Sequence, residues 1–187
     1  MNEQIRRALE VLKNGGTILY PTDTIWGIGC DATNPEAVEK VYRIKRRSDA
    51  MSMLVLLDTE NRLSSYVDRI PEIAWELLEA ANEPMTLIYP GAKNLASNLL
   101  APDGSIGIRV TSDTFCSQLI GRLRKPVVST SANVSGETAP GSFQEVCDEI
   151  LTAVDYVVDW RQDEPGTGKA SSIIKLEANG TFIILRK

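Results

Sequence analysis

The 187-residue chain contains no histidine. That absence excludes a Ser-His-Asp or Cys-His nucleophile system and removes the commonest transition-metal ligand. Cysteine is scarce as well. Cys30, Cys116 and Cys147 are odd in number, and no two are spaced as a Cys-x-x-Cys metal or redox motif, so they read as buried or idle thiols. No apolar run approaches the ~20 residues of a membrane-spanning helix. The opening MNEQIRRALEVLKNGG is charged and lacks the apolar centre of a signal peptide. The expectation is a cytoplasmic protein with no membrane partner. Positive charge is also in deficit, with 20 Lys and Arg against 25 Asp and Glu, a net −5. The surface as a whole should therefore not attract nucleic acid strongly. Any chemistry must rest on Lys, Arg, hydroxyls, amides, carboxylates and backbone.

What is present is ordinary globular material, 43% hydrophobic and 24% charged, enough for one domain over 1–187. Residues 3–13 place Ile5, Leu9 and Leu12 at helical spacing, closed by Gly15-Gly16. Residues 17–20 read as a short buried strand. Asn34-Pro35-Glu36 reads as a helix start, with Asn as cap, Pro in the first turn and an acid near the positive end. Further strands are predicted at 53–57, 85–89, 105–110, 127–130 and 156–158, and further helices at 71–82 and 113–123. Ser142-Phe143-Gln144-Glu145 has the form of a capping box opening a helix with Val146 and Ile150 on one face. Asn179-Gly180 between apolar runs at 172–176 and 181–185 predicts a hairpin. Alternating strands and helices plus a hairpin predict an α/β fold with a twisted, open mixed sheet and flanking helices.

Polar clusters recur at the ends of the predicted strands. They are Pro21-Thr22-Asp23-Thr24, Arg109 within 106–110, Ser129-Thr130-Ser131-Ala132-Asn133, and Ser171-Ser172. Ligands of α/β sheets bind in crevices at strand ends, although any single cluster is better explained as a capped turn. The basic run Lys45-Arg46-Arg47 follows a predicted helix. It fits either a helix C-terminus complementing the dipole or a clamp for anionic phosphates. Gly166-Thr167-Gly168-Lys169-Ala170-Ser171 imitates a phosphate loop. Asp163 stands where the first glycine of a Walker motif belongs, and Ala170 where its Ser or Thr belongs, so a mobile glycine-rich loop is expected instead.

Seven segments, in order, resemble the YrdC/Sua5/TsaC family of threonylcarbamoyl-AMP synthases. Pro21-Thr22-Asp23-Thr24-Ile25-Trp26-Gly27 is similar to its PT[DE]T-x-YGL signature, and Lys45-Arg46-Arg47 to its K-x-R. Pro84-Met85-Thr86-Leu87-Ile88, Gly107-Ile108-Arg109-Val110 and Thr130-Ser131-Ala132-Asn133-Val134-Ser135-Gly136 resemble three more of its segments. Ser171-Ser172-Ile173-Ile174 and the closing Leu185-Arg186 complete the series. The sequence departs from the family pattern at Trp26, where Tyr is usual, at Ser48 and Ser52-Met53, and at Thr138-Ala139-Pro140-Gly141.

The resemblance implies a YrdC-like domain with a central positively charged cavity. It implies a nucleotidyltransferase that forms threonylcarbamoyl-AMP and pyrophosphate from L-threonine, bicarbonate or CO2, and ATP. The product would pass to tRNA threonylcarbamoyl-transferase proteins for modification of position 37 of tRNA. By the same resemblance, Lys45 and Arg47 would be catalytic and bind the ATP phosphates, with Thr86, Asn133 and Arg186 lining the nucleotide region. Thr24, Arg109, Ser131 and Ser171 would hold L-threonine and the carbamate, and Mg2+ would arrive on the phosphates. Lys45→Ala and Arg47→Ala are then expected to abolish turnover while leaving the fold intact. The alternative reading is a non-catalytic module that binds double-stranded RNA or tRNA through the patch at 43–47. A carbamoyl-adenylate domain of the kind found in hydrogenase-maturation proteins and antibiotic O-carbamoyltransferases is a third reading.

Overall fold

The structure, a computed structural model, describes residues 1–46, 53–165, 168–177 and 179–187. Arg47, Ser48 and Ser52 lie outside the described residues, as do Gly166 and Thr167. Five helices are described: α1 (Asn2–Lys13), α2 (Pro35–Ile44), α3 (Glu72–Ala80), α4 (Thr114–Leu123) and α5 (Asp148–Ala153). The strands are β1 (Ile18–Tyr20), β2 (Gly27–Gly29), β3 (Leu54–Leu57), β4 (Met85–Tyr89), β5 (Ile106–Val110), β6 (Val127–Ser131), β7 (Tyr156–Val157), β8 (Ser172–Leu176) and β9 (Phe182–Arg186). They form one sheet in the order β7-β1-β2-β6-β3-β5-β4-β8-β9. The pairs β1/β7, β3/β5 and β4/β8 are parallel and the rest antiparallel, so the sheet is mixed, as expected.

Alternation along the strands feeds two cores. In β1, Ile18 and Tyr20 join the apolar face of α1 and α4, whereas Leu19 joins the opposite core with α2, α3 and α5. In β3, Val55 and Leu57 face the second core and Leu56 the first. This is the period-2 alternation of a sheet buried on both sides. Asn34 caps α2 as its sequence predicts, its side-chain oxygen accepting from the backbone N–H groups of Glu36 (3.0 Å) and Ala37 (3.2 Å).

Two local expectations need correction. The segment Ser142-Phe143-Gln144-Glu145 is not the start of a continuous helix. It forms a 3₁₀ turn over Phe143–Glu145, and α5 begins only after Cys147. The Glu145 carboxylate accepts from the N–H of Gly141 (2.8 Å) rather than from that of Ser142, so the box closes one residue early. The strand β2 had no signal at all, because Gly-Ile-Gly has poor strand propensity. The glycines serve close approach. A Cβ on Gly29 would lie 2.6 Å from the Val128 carbonyl oxygen and 2.7 Å from the Tyr20 ring. No helix among the described residues is long and apolar enough to cross a membrane.

Candidate active site

The antiparallel pairing of β2 with β6 sets Gly27 opposite Ser131. That register brings the exit of the Pro21–Thr24 turn against the end of β6. β5 lies between β3 and β4 and carries Arg109, and the parallel pairing of β4 with β8 sets Thr86 beside Ser171. The result is a cavity of about 240 Å³. Thr24, Arg109, Ser131, Ser171 and Arg186 all line it, together with Ile25, Gly27, Met53, Leu54, Ser129, Thr130, Ala139, Ala170 and Ile173. Among these described lining residues the charged side chains are two guanidiniums, with no carboxylate.

Arg109 is the organising group. It is 3% exposed, and its NH2 lies 3.0 Å from Asp23 Oδ1. NH1 donates to Thr24 Oγ1 at 3.1 Å, while Nε is buried without a hydrogen-bond partner. Thr111 donates its hydroxyl to Asp23 Oδ2 (3.3 Å), fixing the carboxylate from the other side. The Thr22 hydroxyl donates to the Ile25 carbonyl at 2.7 Å, which commits its only proton. Thr24 Oγ1, 3.0 Å away, is therefore the donor between the two hydroxyls. The Thr24 hydroxyl is thereby polarised, accepting from a cation and giving its own proton to Thr22.

Arg186 reaches in from β9. Its Nε donates to the Ser171 carbonyl at 2.8 Å, and the Ser171 hydroxyl shares a hydrogen bond with Thr86 at 2.8 Å. Burial, reinforced by the charge of Arg109, holds the Arg186 guanidinium below the usual arginine range. Arg186 and the Asp23-paired Arg109 thus face one space whose described lining holds no carboxylate.

Three candidates stand behind the lining. Thr86 is 1% exposed and positions Ser171. Asn133 donates to the carbonyls of Val134 (2.9 Å) and Glu137 (2.8 Å), while its Oδ1 is buried without a partner. Lys45 is buried, and its ammonium donates to the carbonyls of Ser131 (2.6 Å) and Asn133 (2.8 Å). The lysine thus braces the end of β6. Arg47 lies outside the described residues.

Sequence reasoning passed over Asp23, which reads locally as a turn residue. Its partner on β5 is distant in the chain, and no short-range pattern links them. Trp26, where the family pattern has Tyr, does not line the cavity. It is buried and packs on Phe143 with ring centroids 4.8 Å apart. Lys169 pairs with Glu83 at the surface instead of pointing along the cavity lining. The described part of the basic patch is engaged within the chain: Arg43 pairs with Glu39, Arg46 with Glu149, and Lys45 is internal. Among its described residues, 43–46, little is left for a nucleic-acid backbone, which disfavours the RNA-module reading.

Comparison with known proteins matches the fold and gives the family. The family model for Sua5, YciO and YrdC proteins, whose description reads "Telomere recombination", matches residues 10–187. A Pseudoalteromonas translucida protein named threonylcarbamoyl-AMP synthase is 34% identical over 180 residues, covering 94% of each chain. The crystal structure of E. coli YciO superposes with a TM-score of 0.84 at 25% identity, covering 100% of this chain and 90% of YciO. P. abyssi Sua5, solved in complex with L-threonine, superposes with a TM-score of 0.85 at 23% identity, covering 97% of this chain. The chain spans about half the length of that protein, 53%. The chain belongs to the Sua5/YciO/YrdC family.

Proposed function

We propose that this chain is a single YrdC-like domain acting in the cytoplasm as an L-threonylcarbamoyladenylate synthase. The observation that carries the reading is the convergence of Arg109, Arg186 and the hydroxyls of Thr24, Ser131 and Ser171 on one acid-free cavity. Threonine amine and CO2 or bicarbonate give a carbamate. A carbamate oxygen then attacks the α-phosphorus of ATP, and pyrophosphate leaves with the electron pair of the broken P–O bond. Both reactants are anions, so positioning and charge neutralisation supply most of the rate, which suits a site without histidine.

Thr24, Ser131 and Ser171 hold threonine, and Arg109, kept in place by Asp23, receives a carboxylate or carbamate oxygen. Arg186, Thr86 and Asn133 border the nucleotide, and Lys45 with Arg47 meets the phosphates. Lys45 does so by exchanging one of its two carbonyl partners for a phosphate oxygen. About 240 Å³ is small beside ligand pockets of roughly 300–1,000 Å³, so the cavity suits the amino-acid end and the nucleotide extends from its mouth. Mg2+ would arrive with the phosphates, since the described residues hold no cluster of three metal-ligating side chains. The adenylate would be consumed by tRNA threonylcarbamoyl-transferase proteins, with at most weak direct binding of tRNA.

The test is incubation with ATP, bicarbonate and L-threonine, following pyrophosphate release and the adenylate by mass spectrometry. Threonine-dependent formation of both products is expected. Their absence overturns the reading, and tight RNA binding in its place would restore the non-catalytic module.

A further inference from the structure

The turn between β1 and β2 is a thin wall. Thr24 and Ile25 line the cavity of about 240 Å³ on one side and a second space of about 20 Å³ on the other. Arg161, Glu164 and Pro165 close that second space from outside. The segment that carries them follows β7 and belongs to no helix or strand.

Arg161 seats this segment. Its φ of +61° is left-handed, a conformation that is costly for any residue with a Cβ and persists only where the surroundings enforce it. Its Nε lies 2.7 Å from Glu164 Oε2, a local pair. Its NH1 donates at 2.7 Å to Asp113 Oδ2, 48 residues away in the chain, and the Asp113 side chain is only 10% exposed. Gln144 adds a further tie. Its side-chain amide donates to the Gln162 carbonyl at 2.8 Å, from the turn whose Phe143 packs on Trp26.

An exposed ion pair by itself contributes little. The Asp113 pair differs because of what else Asp113 holds. Its Oδ1 caps α4 by accepting from the Cys116 N–H at 2.8 Å, and its own backbone N–H donates to Thr111 Oγ1 at 3.1 Å. Thr111 donates to Asp23, Asp23 pairs with Arg109, and Arg109 donates to Thr24. A continuous line of charge and hydrogen bonds therefore runs from Arg161 to the hydroxyl on the inner side of the wall. Arg161 meets the same wall directly from its outer side.

We propose that Arg161 is a positioning residue for the amino-acid end of the cavity. It seats the segment against the turn, and through Asp113 and Thr111 it fixes the Asp23–Arg109 pair. Arg161 does not line the larger cavity, so it acts through these partners. The proposal rests on reading that cavity as the threonine end of the site. The line from Arg161 does not pass through Thr86, Asn133 or Arg186, which border the nucleotide in that reading.

Steady-state kinetics and hydrogen exchange on the full chain test it. Arg161→Gln keeps a polar side chain and removes the charge. Asp113→Asn removes the charge and keeps the α4 cap, since Asn caps as well as Asp. Each should raise KM for L-threonine about 3- to 30-fold while KM for ATP stays within about 2-fold. The double variant should raise it no further than the larger single, as residues acting as one unit do. Amide exchange in the peptide spanning residues 20–27 should quicken about 3- to 30-fold in each variant, with α1 and α2 unchanged. If Arg161→Gln does not fold, Arg161→Gly, which relieves the left-handed backbone of its Cβ, gives the same readings. An unchanged KM for L-threonine, an unchanged exchange rate at 20–27, or additive single effects overturn the proposal. So does general loosening, in which both KM values move together and exchange quickens throughout. If the wild-type chain makes no threonine-dependent product, the synthase reading falls and hydrogen exchange alone decides. Faster exchange confined to 20–27 then keeps Arg161 as the brace of this wall, and an unchanged rate removes it.

Discussion

Asp23→Asn isolates the buried pair that fixes Arg109. The substitution keeps the shape of the side chain and an oxygen for the Thr111 hydroxyl, and removes only the charge. What remains is a guanidinium 3% exposed, with Nε unpartnered and NH1 on a neutral hydroxyl. At the 3.0 Å separation the Coulomb term for an effective dielectric constant of about 20 is about 5 kcal/mol. Breaking a buried pair by deleting one partner costs about 3–5 kcal/mol. The carboxylate is itself 12% exposed, and water reaching it screens part of the charge, so the lower end, about 3 kcal/mol, is expected. Against a total stability of about 5–15 kcal/mol that is a large loss. With a urea m-value of about 2 kcal/mol/M it moves the unfolding midpoint down by about 1.5 M. The double variant Asp23→Asn with Arg109→Met removes both charges and should recover at least about half of the loss. A cost below about 1 kcal/mol, or a double variant whose cost is the plain sum of the singles, refutes the claim that the pair is an energetically coupled internal unit.

Lys45→Met deletes an ammonium that satisfies two buried carbonyls at 2.6 and 2.8 Å, so it should cost about 2–4 kcal/mol in urea unfolding as well as abolish adenylate formation. Wild-type stability in that variant would show that the lysine does not brace β6. Gly29→Ala places a Cβ 2.6 Å from a backbone oxygen and should destabilise by about 1–3 kcal/mol or more, where an ordinary strand Gly→Ala change would be neutral or favourable. An unchanged thermal midpoint would contradict the close approach of β2 to β1 and β6.

Much of this fold was legible because its signals are local. The cap at Asn34, the Asn179-Gly180 turn and the apolar period of α1 and α4 each lie within a few residues, and each element stands where its pattern puts it. What escaped depends on partners remote in the chain. β2 exists because Gly27 and Gly29 let Tyr20 and β6 close on them, a packing reason invisible to strand propensity. The reach of Lys45 to the carbonyls of Ser131 and Asn133 is of the same kind, and so is the partnership of Asp23 with Arg109.

The site itself shows how the two levels join. Its hydroxyl clusters were readable as polar strand ends, and each alone read better as a capped turn. Sheet order distinguishes the two readings. β6 lies between β2 and β3 even though the chain visits three other strands before it, and the Gly27–Ser131 register turns two separate polar ends into adjacent walls. β5 enters beside β3 with Arg109 opposite Leu56, and β8 enters beside β4 with Ser172 opposite Met85. A one-residue slip in either pairing would send Arg109, or Ser171 with its hold on Arg186, to the opposite face of the sheet. The cavity is therefore a property of register, and the buried Asp23–Arg109 pair acts as its check. In a slipped β5 the guanidinium would face the α2, α3 and α5 core without its carboxylate, at a cost of several kcal/mol.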